Sequence, residues 1–426
     1  MTSATNRRVA VIGSGVAGLT AAWALQHAAD VTLYEADDRL GGHAHTHDIA
    51  RPAGGSIAVD TGFIVHNERT YPTLLCLFAE LGVTTQESDM SMSVRCDGCG
   101  LEYAGARGLS GLFAQPRSLV RGRYLRMLTE VRSFHAAARA VLAAGPDGSQ
   151  QDVTLAEFLA TGGYSPYFVS HFMTPVVSAV WSCSPSTAGA YPARYLFEFL
   201  DNHGMLSVTG SPPWRTVTGG SRSYVERVAK VLSAVQTSTP VRALTRTVDG
   251  VEIRDDGDAL ERYDAVVVAT HPDQALALLA EPTRAERDVL GAFRYSRNET
   301  VLHTDTSLLP RSSRAQASWN YRMRDCLDQA DHVLVSYDMT RLQRLPGQER
   351  FVVTLNGSEH VRPASVLARM VYHHPVYTPE SVAAQARLPE LDSSRVTFAG
   401  AYQGWGFHED GCLSGFRAAQ KLGGAW

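Results

Sequence analysis

The sequence predicts an α/β protein that opens on a Rossmann-type dinucleotide unit and interleaves it with an α+β second domain. Three observations predict this. A short β-branched run, Arg8 to Ile12, leads directly into glycines in G-x-G-x-x-G spacing. That loop opens an apolar helical run, and the next strand ends on an acidic residue. Similar strand, loop and helix signals return in the middle and at the end of the chain.

The 426 residues are too many for one ordinary core, which points to two domains. A hydrophobic content of 44% with 19% charged residues fits a globular chain. The net charge of −4 gives no electrostatic reason to expect nucleic acid. Lys230 and Lys421 are the only lysines, so 37 of the 39 basic residues are arginine. Six cysteines do not resemble a disulfide scaffold. No apolar run approaches the roughly 20 residues that span a bilayer. The cytoplasm is the expected compartment, with membrane-surface contact left open.

Each part of the first unit has a physical role. Gly13 allows the tight turn, Gly15 lets a pyrophosphate approach the backbone, and Gly18 lets the helix pack on the strand. Val16 and Ala17 lie at the helix N-terminus, which faces phosphates. Val31 to Tyr34 forms the second strand. Glu35 stands 20 residues beyond Gly15, where a carboxylate accepts ribose hydroxyls. At this point NAD and FAD both fit.

The following segment, ADDRLGGHAHTH, contains Ala36, Arg39, Gly41, Gly42 and His43. It resembles the second FAD signature of the glutathione-reductase-like superfamily, which includes amine oxidases, protoporphyrinogen oxidases and carotenoid desaturases. The resemblance implies non-covalent FAD, with the arginine and glycine backbone near its phosphates. Thr61 and Gly62 of VDTGF resemble the superfamily's strand-turn beside the flavin. His43, His45 and His47 alternate, but no carboxylate or cysteine completes a metal site there, and no metal is expected.

Further along, Cys96 and Cys99 form a C-x-x-C with Asp97-Gly98 between strand-like runs. No second pair follows, so a hairpin turn is the expectation. Arg117 to Phe134 has helical periodicity, with Leu119, Tyr124, Leu125 and Leu128 as one apolar stripe. This helix packs on the second domain or lies on a membrane surface. Phe168, Phe172, Met173, Val177, Trp181, Phe197 and Leu200 recur at helical spacing, as core residues or as the lining of an apolar tunnel.

Pro240 to Leu244 and DAVVVAT (264–270) return the chain to the nucleotide domain. By resemblance, Val241 contacts adenine through its backbone, and Ala269 and Thr270 lie near the dinucleotide. The last block, RVTFAGAYQGWGFHEDG, reads as strand, Gly400 and a final helix. It resembles the superfamily's C-terminal FAD motif, with Asp410 and Gly411 at the helix start facing the flavin. A helix N-terminus there would stabilise negative charge on the reduced ring. The FAD-binding domain is thus expected at 1–90, 205–275 and 385–426, and the substrate domain at 91–204 and 276–384.

GFIVHN, FLDNHGML, WRTVTGGSRSYV, SWNY, YHHPVYTP and GAYQGWGFHEDG are together similar to bacterial NAD/FAD-binding, amine-oxidase-like oxidoreductases. That family travels with cyclopropane-fatty-acid-synthase-like enzymes, which implies a lipid acyl substrate. One departure is Ala317, where relatives often carry tryptophan. Two reactions follow. One is hydride transfer at a C–C or C=C bond of a hydrophobic chain, with an acid or base on the adjacent carbon. The other is amine oxidation, which in many relatives uses a lysine beside the flavin; neither Lys230 nor Lys421 falls in such a segment. His408, Glu409 and Tyr402 are the expected catalytic residues. His66, Asn67 and His203 lie in family-like motifs. With no second G-x-G-x-x-G in strand context, electrons come from a partner protein, from oxygen chemistry or from diffusing NADPH.

Overall fold

The computed structural model describes residues 7–51, 54–145, 153–207, 210–327 and 330–426. Its nucleotide side is a five-stranded, all-parallel sheet. The strand order is Ala234–Gln236, Asp30–Tyr34, Arg8–Ile12, Ala265–Val268 and Val396–Phe398. Strands covered on both faces need apolar side chains on both. Val9, Val11, Ala265 and Val267 face one buried cluster, whereas Ala10, Ile12, Val266 and Val268 face another. The period of two in these runs therefore divides them between two cores.

On the first face lies the helix Val16–Leu25, buried around nearly its whole circumference. The C-terminal helix His408–Lys421 crosses it so closely that a Cβ on Gly415 would stand 2.1 Å from the Ala17 carbonyl oxygen. The other face is covered by an antiparallel three-stranded sheet (Val241–Arg246, Val251–Asp255, Leu260–Tyr263) and by the helices Pro272–Leu278 and Arg284–Leu290. The polypeptide thus packs on the nucleotide sheet as far as Phe293, beyond the crossing expected at residue 275.

The second body is built on a seven-stranded sheet. Its order is Val366–Val376, Arg294–His303, Val352–Leu355, Val335–Asp338, Trp319–Met323, Met92–Cys96 and Glu102–Ala104. All neighbours are antiparallel except Trp319–Met323 with Met92–Cys96. Cys96 and Cys99 do flank a hairpin turn. A helical layer packs with this sheet: Gly122–Ala143, Leu155–Thr161, the run from Pro166 to Trp181, and Ala193–Asn202. Val169–Met173 within that run is a π-helical turn, a local widening often found at functional sites.

One expectation changes here, and another is met on its core-packing side. The stripe through Leu119, Tyr124, Leu125 and Leu128 is not one packed face, since Leu119 and Leu125 are exposed. The helix buries Tyr124, Met127, Phe134 and Ala138 instead. Of the seven proposed tunnel residues, Phe168, Met173, Val177, Trp181, Phe197 and Leu200 belong to the second core, with Phe172 partly buried against it. Among the described residues, no helix is long and apolar enough to cross a membrane.

Candidate active site

The glycine loop closes the end of the central strand. Gly13 has φ +100°, and a Cβ there would lie 2.7 Å from the Ala269 carbonyl oxygen, so Ala269 and Thr270 press directly on the turn. Nothing lies within 4 Å of where a Gly15 Cβ would point, which leaves open space above the helix N-terminus. Glu35 closes the side of this space. Its carboxylate accepts from the Ser14 amide at 2.9 Å and the Asp37 amide at 3.0 Å, and from the Ser14 hydroxyl. A carboxylate offers about four lone-pair sites, so acceptor capacity remains for ribose hydroxyls. The Glu35 backbone pairs with Gln236 and Thr239, which brings the segment leading into Val241 alongside it.

The Gly41-Gly42 turn folds over the loop. The Gly41 amide donates to Ser14, and a Gly42 Cβ would come within 3.1 Å of the Gly15 Cα. Arg39 Nη1 is buried here without a protein partner. A guanidinium proton buried without an acceptor is costly, and a phosphate oxygen is the matching group. The open cradle, the unpartnered Arg39 and the Glu35 carboxylate together fit a dinucleotide.

From this end a second wall continues. Thr61 donates its amide to the His45 carbonyl, and its hydroxyl lies 2.7 Å from the Tyr372 hydroxyl. A Gly62 Cβ would overlap the His43 carbonyl at 2.2 Å. The His43 ring lies against Tyr372 and His374, while the His45 and His47 rings stack on each other at 4.1 Å. The three alternating histidines therefore do not converge. Burial drives His43 well below the ordinary histidine range and holds His271 and His374 at about 4, so these imidazoles are neutral near pH 7. Sequence reasoning missed His271, Tyr372 and His374, because they reach the wall only through sheet pairing and strand ends distant in sequence.

The C-terminal segment forms the third side. The Gly400 amide donates to the Ser414 hydroxyl at 2.9 Å, and a Gly411 Cβ would stand 2.6 Å from Val16. Both glycines thus bring this helix N-terminus against the start of the first helix. Asp410 caps it by accepting from the Phe407 amide at 2.9 Å, and burial pushes its carboxyl up to about 7. Cys412 is buried against Thr20 between the two helices.

The three residues expected to be catalytic occupy different environments. His408 stacks on Phe63 at 3.7 Å and shares a hydrogen bond with the Tyr224 hydroxyl; burial lowers it to about 3. Glu409 accepts from the Thr73 and Leu74 amides at 3.0 and 2.9 Å, capping the helix Pro72–Leu81. Tyr402 is turned into the core behind the nucleotide sheet, edge-on to Phe293, with its hydroxyl buried and unpartnered. Its place beside Gly400 in sequence is a poor guide to where its ring goes. His66, by contrast, is buried with neither ring nitrogen partnered and is held at about 4 by burial.

Next to this segment is an aromatic wall. Trp181, Phe199, Trp405, Phe407 and His203 lie ring to ring, and Trp181 Nε1 donates to the Trp405 carbonyl at 3.0 Å. The substrate-domain helices and the C-terminal flavin-type segment meet here.

Comparison with known proteins agrees with this arrangement. Residues 16–307 match the family of flavin containing amine oxidoreductases. No curated protein matches the chain in sequence. Among solved structures, the chain is similar to a CLA-producing fatty acid isomerase from P. acnes, with TM-score 0.69, 15% identity, and coverage of 99% of this chain and 100% of that one. It is similar to cyclohexylamine oxidase from Brevibacterium oxydans at TM-score 0.69 and 18% identity, covering 97% and 98% of the two chains. It is also similar to putrescine oxidase bound to putrescine, at TM-score 0.69 and 15% identity with 98% of each chain covered. The family match spans more than half of the sequence: the chain belongs to the flavin containing amine oxidoreductases and is an FAD-dependent oxidoreductase.

Proposed function

We propose that the enzyme acts on a C–C or C=C bond of a hydrophobic, fatty-acyl chain, by desaturation, saturation or isomerisation. The observation that carries this is that, among the described residues, the carboxylates of the flavin-type segment already have backbone partners. Lys421 pairs with Asp392 at 2.5 Å near the end of the last helix, and Lys230 closes the helix Arg222–Ala229. Glu409 is occupied by two backbone amides, and Asp410 accepts from the Phe407 amide and is held toward its neutral form by burial. An ammonium entering here would lose water and gain only aromatic faces, worth roughly 0.5–2 kcal/mol, with the carboxylates already engaged. An acyl chain would meet the half-buried Trp405 and Phe407, backed by Trp181 and Phe199, and neutral imidazoles instead.

Bound FAD supplies the hydride acceptor and donor. In this reading the proton on the adjacent carbon is held or taken by His66 or His408, whose imidazoles burial keeps neutral. Arrival from a lipid surface suits the exposed Leu109 (75%), Leu119 (56%) and Val120 (84%), which neighbour Arg107, Arg117 and Arg121 in sequence. The similar fatty acid isomerase is a precedent for an acyl substrate on this fold. One observation favours the alternative, oxidation of a C–N bond with oxygen as acceptor: the two amine oxidases match the fold as well as the isomerase does.

Mass spectrometry of polyunsaturated acyl lipids incubated with the holoprotein tests the reading. A moved double bond, or a gain or loss of two hydrogens, supports it. Unaltered lipid together with peroxide and aldehyde released from a primary amine would overturn it.

A further inference from the structure

Outside the flavin site, one cluster brings together side chains that the mechanism does not use. Cys96 ends the strand Met92–Cys96, Cys99 follows in the hairpin turn, His171 lies in the π-helical turn and Cys326 follows the strand Trp319–Met323. Their sulfur and ring-nitrogen atoms all lie within 4.8 Å of one another. Cys96 Sγ is 3.9 Å from Cys326 Sγ, and Cys99 Sγ is 3.7 Å from His171 Nε2. These spacings are too long for a disulfide, whose sulfurs are about 2.05 Å apart. The 3.9 and 3.7 Å spacings match two edges of a tetrahedron: Zn–S bonds of about 2.3 Å set sulfurs about 3.8 Å apart, and a Zn–N bond of about 2.1 Å gives an S–N edge of about 3.6 Å.

We propose that Cys96, Cys99, Cys326 and His171 form a structural zinc site that ties the hairpin, the π-helical turn and the loop after Met323 into one unit. The surroundings are built for it. Ser170 Oγ lies 2.8 Å from His171 Nδ1, which fixes the ring and leaves Nε2 toward the thiols, as outer partners of zinc-bound histidines do. Tyr167 stacks on the same ring at 3.8 Å, and the Tyr103 hydroxyl donates to the His171 carbonyl at 2.7 Å. The hairpin is held from two sides. The Asp97 amide donates to the Met323 carbonyl, and Arg121 donates to the Cys99 carbonyl at 2.9 Å. A Gly98 Cβ would lie 2.9 Å from the Asp325 Cα, so a larger residue there would push the Cys326 loop away.

Three thiolates side by side repel one another, and the nearby Arg121, which donates to the Cys99 carbonyl, balances at most one of them. Zn²⁺ supplies that balance, and three thiolates with one imidazole form a closed structural set rather than an open catalytic one. The site also bears on the reaction domain. His171 and Trp181 lie on one continuous helical run, about 15 Å apart at 1.5 Å per residue, and Trp181 holds the C-terminal flavin-type segment through Trp405. Fixing one end of this run fixes where the aromatic wall stands.

Metal analysis of the full-length holoprotein, purified without chelators or a metal-affinity step, tests the site. The expected result is about one zinc per chain. Replacing zinc by cobalt should give thiolate-to-cobalt charge transfer and strong tetrahedral d–d absorption at wavelengths beyond the flavin bands. Cys326→Ser and Cys99→Ala should each lose the zinc and unfold at lower temperature, while retaining FAD. Protein from zinc-supplemented growth that contains no stoichiometric zinc and gives no cobalt spectrum overturns the proposal. So does a native disulfide among these cysteines, or iron in place of zinc. None of these outcomes depends on the identity of the substrate.

Discussion

On the nucleotide side, small and β-branched residues alternate between two cores, and the polar site is made mostly of backbone: the glycine loop, the Gly41-Gly42 turn and a helix N-terminus. On the substrate side, rings of Phe134, Phe158, Phe168, Trp181 and Phe199 fill one large core, and the polar groups are buried side chains, among them His171, His203 and His303. A backbone site tolerates little change where the ligand touches it, because there is no side chain to move aside. A side-chain wall can be retuned residue by residue, which is how one fold comes to serve acyl chains and amines alike.

That contrast predicts a graded series of effects. Gly15→Val should abolish FAD binding, since its side chain fills the one open position above the helix N-terminus. Flavin retained after gel filtration would break the assignment of the cradle. Glu35→Ala should weaken FAD binding by about 1.5–3 kcal/mol, roughly 10- to 100-fold, through lost charged hydrogen bonds to ribose and to Ser14. Isothermal titration of the apoprotein measures this directly.

Acid should act mainly through the histidine-rich wall. His66, His203, His271 and His374 are held near about 4 by burial, below the ordinary value of 6.5. The unfolded chain therefore binds more protons between these values, and stability falls as pH drops through that window. Asp60 and Asp410, raised by burial to about 6 and about 7, act in the opposite direction, but they are two groups against these four histidines together with His43, His45, His303 and His408, which burial also lowers. His203→Phe should reduce the acid loss by about 2 kcal/mol at roughly pH 5. An unchanged slope of Tm against pH would show that His203 is not held neutral. The smallest effects are expected at two residues beside the flavin motif in sequence. Glu409→Gln should cost about 1 kcal/mol of stability through a weakened helix cap, with FAD retained. Tyr402→Phe should leave turnover within about twofold, because its hydroxyl has no partner to lose. A large loss of turnover in either variant would return it to the reacting centre.

The same contrast explains what could be read from the sequence. Gly13, Gly15, Gly18 and Glu35 act locally, within one strand-loop-helix-strand unit, so their spacing carries their geometry. The wall of His271, Tyr372 and His374 forms only when the strand Val366–Val376 pairs with Arg294–His303, a contact between distant segments that leaves no local pattern. The cysteine cluster was hidden for the same reason: its third thiol lies 230 residues from Cys96, and the fourth group is a histidine. Tyr402 and Glu409 show the opposite limit of sequence reading. They lie in the right segment, but the short 3-10 turn Ala401–Gln403 rotates the tyrosine into the core, and Glu409 reaches across to cap a neighbouring helix.

The most direct test of the substrate-side account is anaerobic rapid mixing of the oxidised holoenzyme with unsaturated acyl lipids and, separately, with primary amines, following the flavin absorbance. The aromatic wall, the neutral imidazoles and the occupied carboxylates predict that acyl lipids perturb or bleach the flavin while amines leave it unchanged. Rapid bleaching by a primary amine, with no response to any lipid, would contradict it.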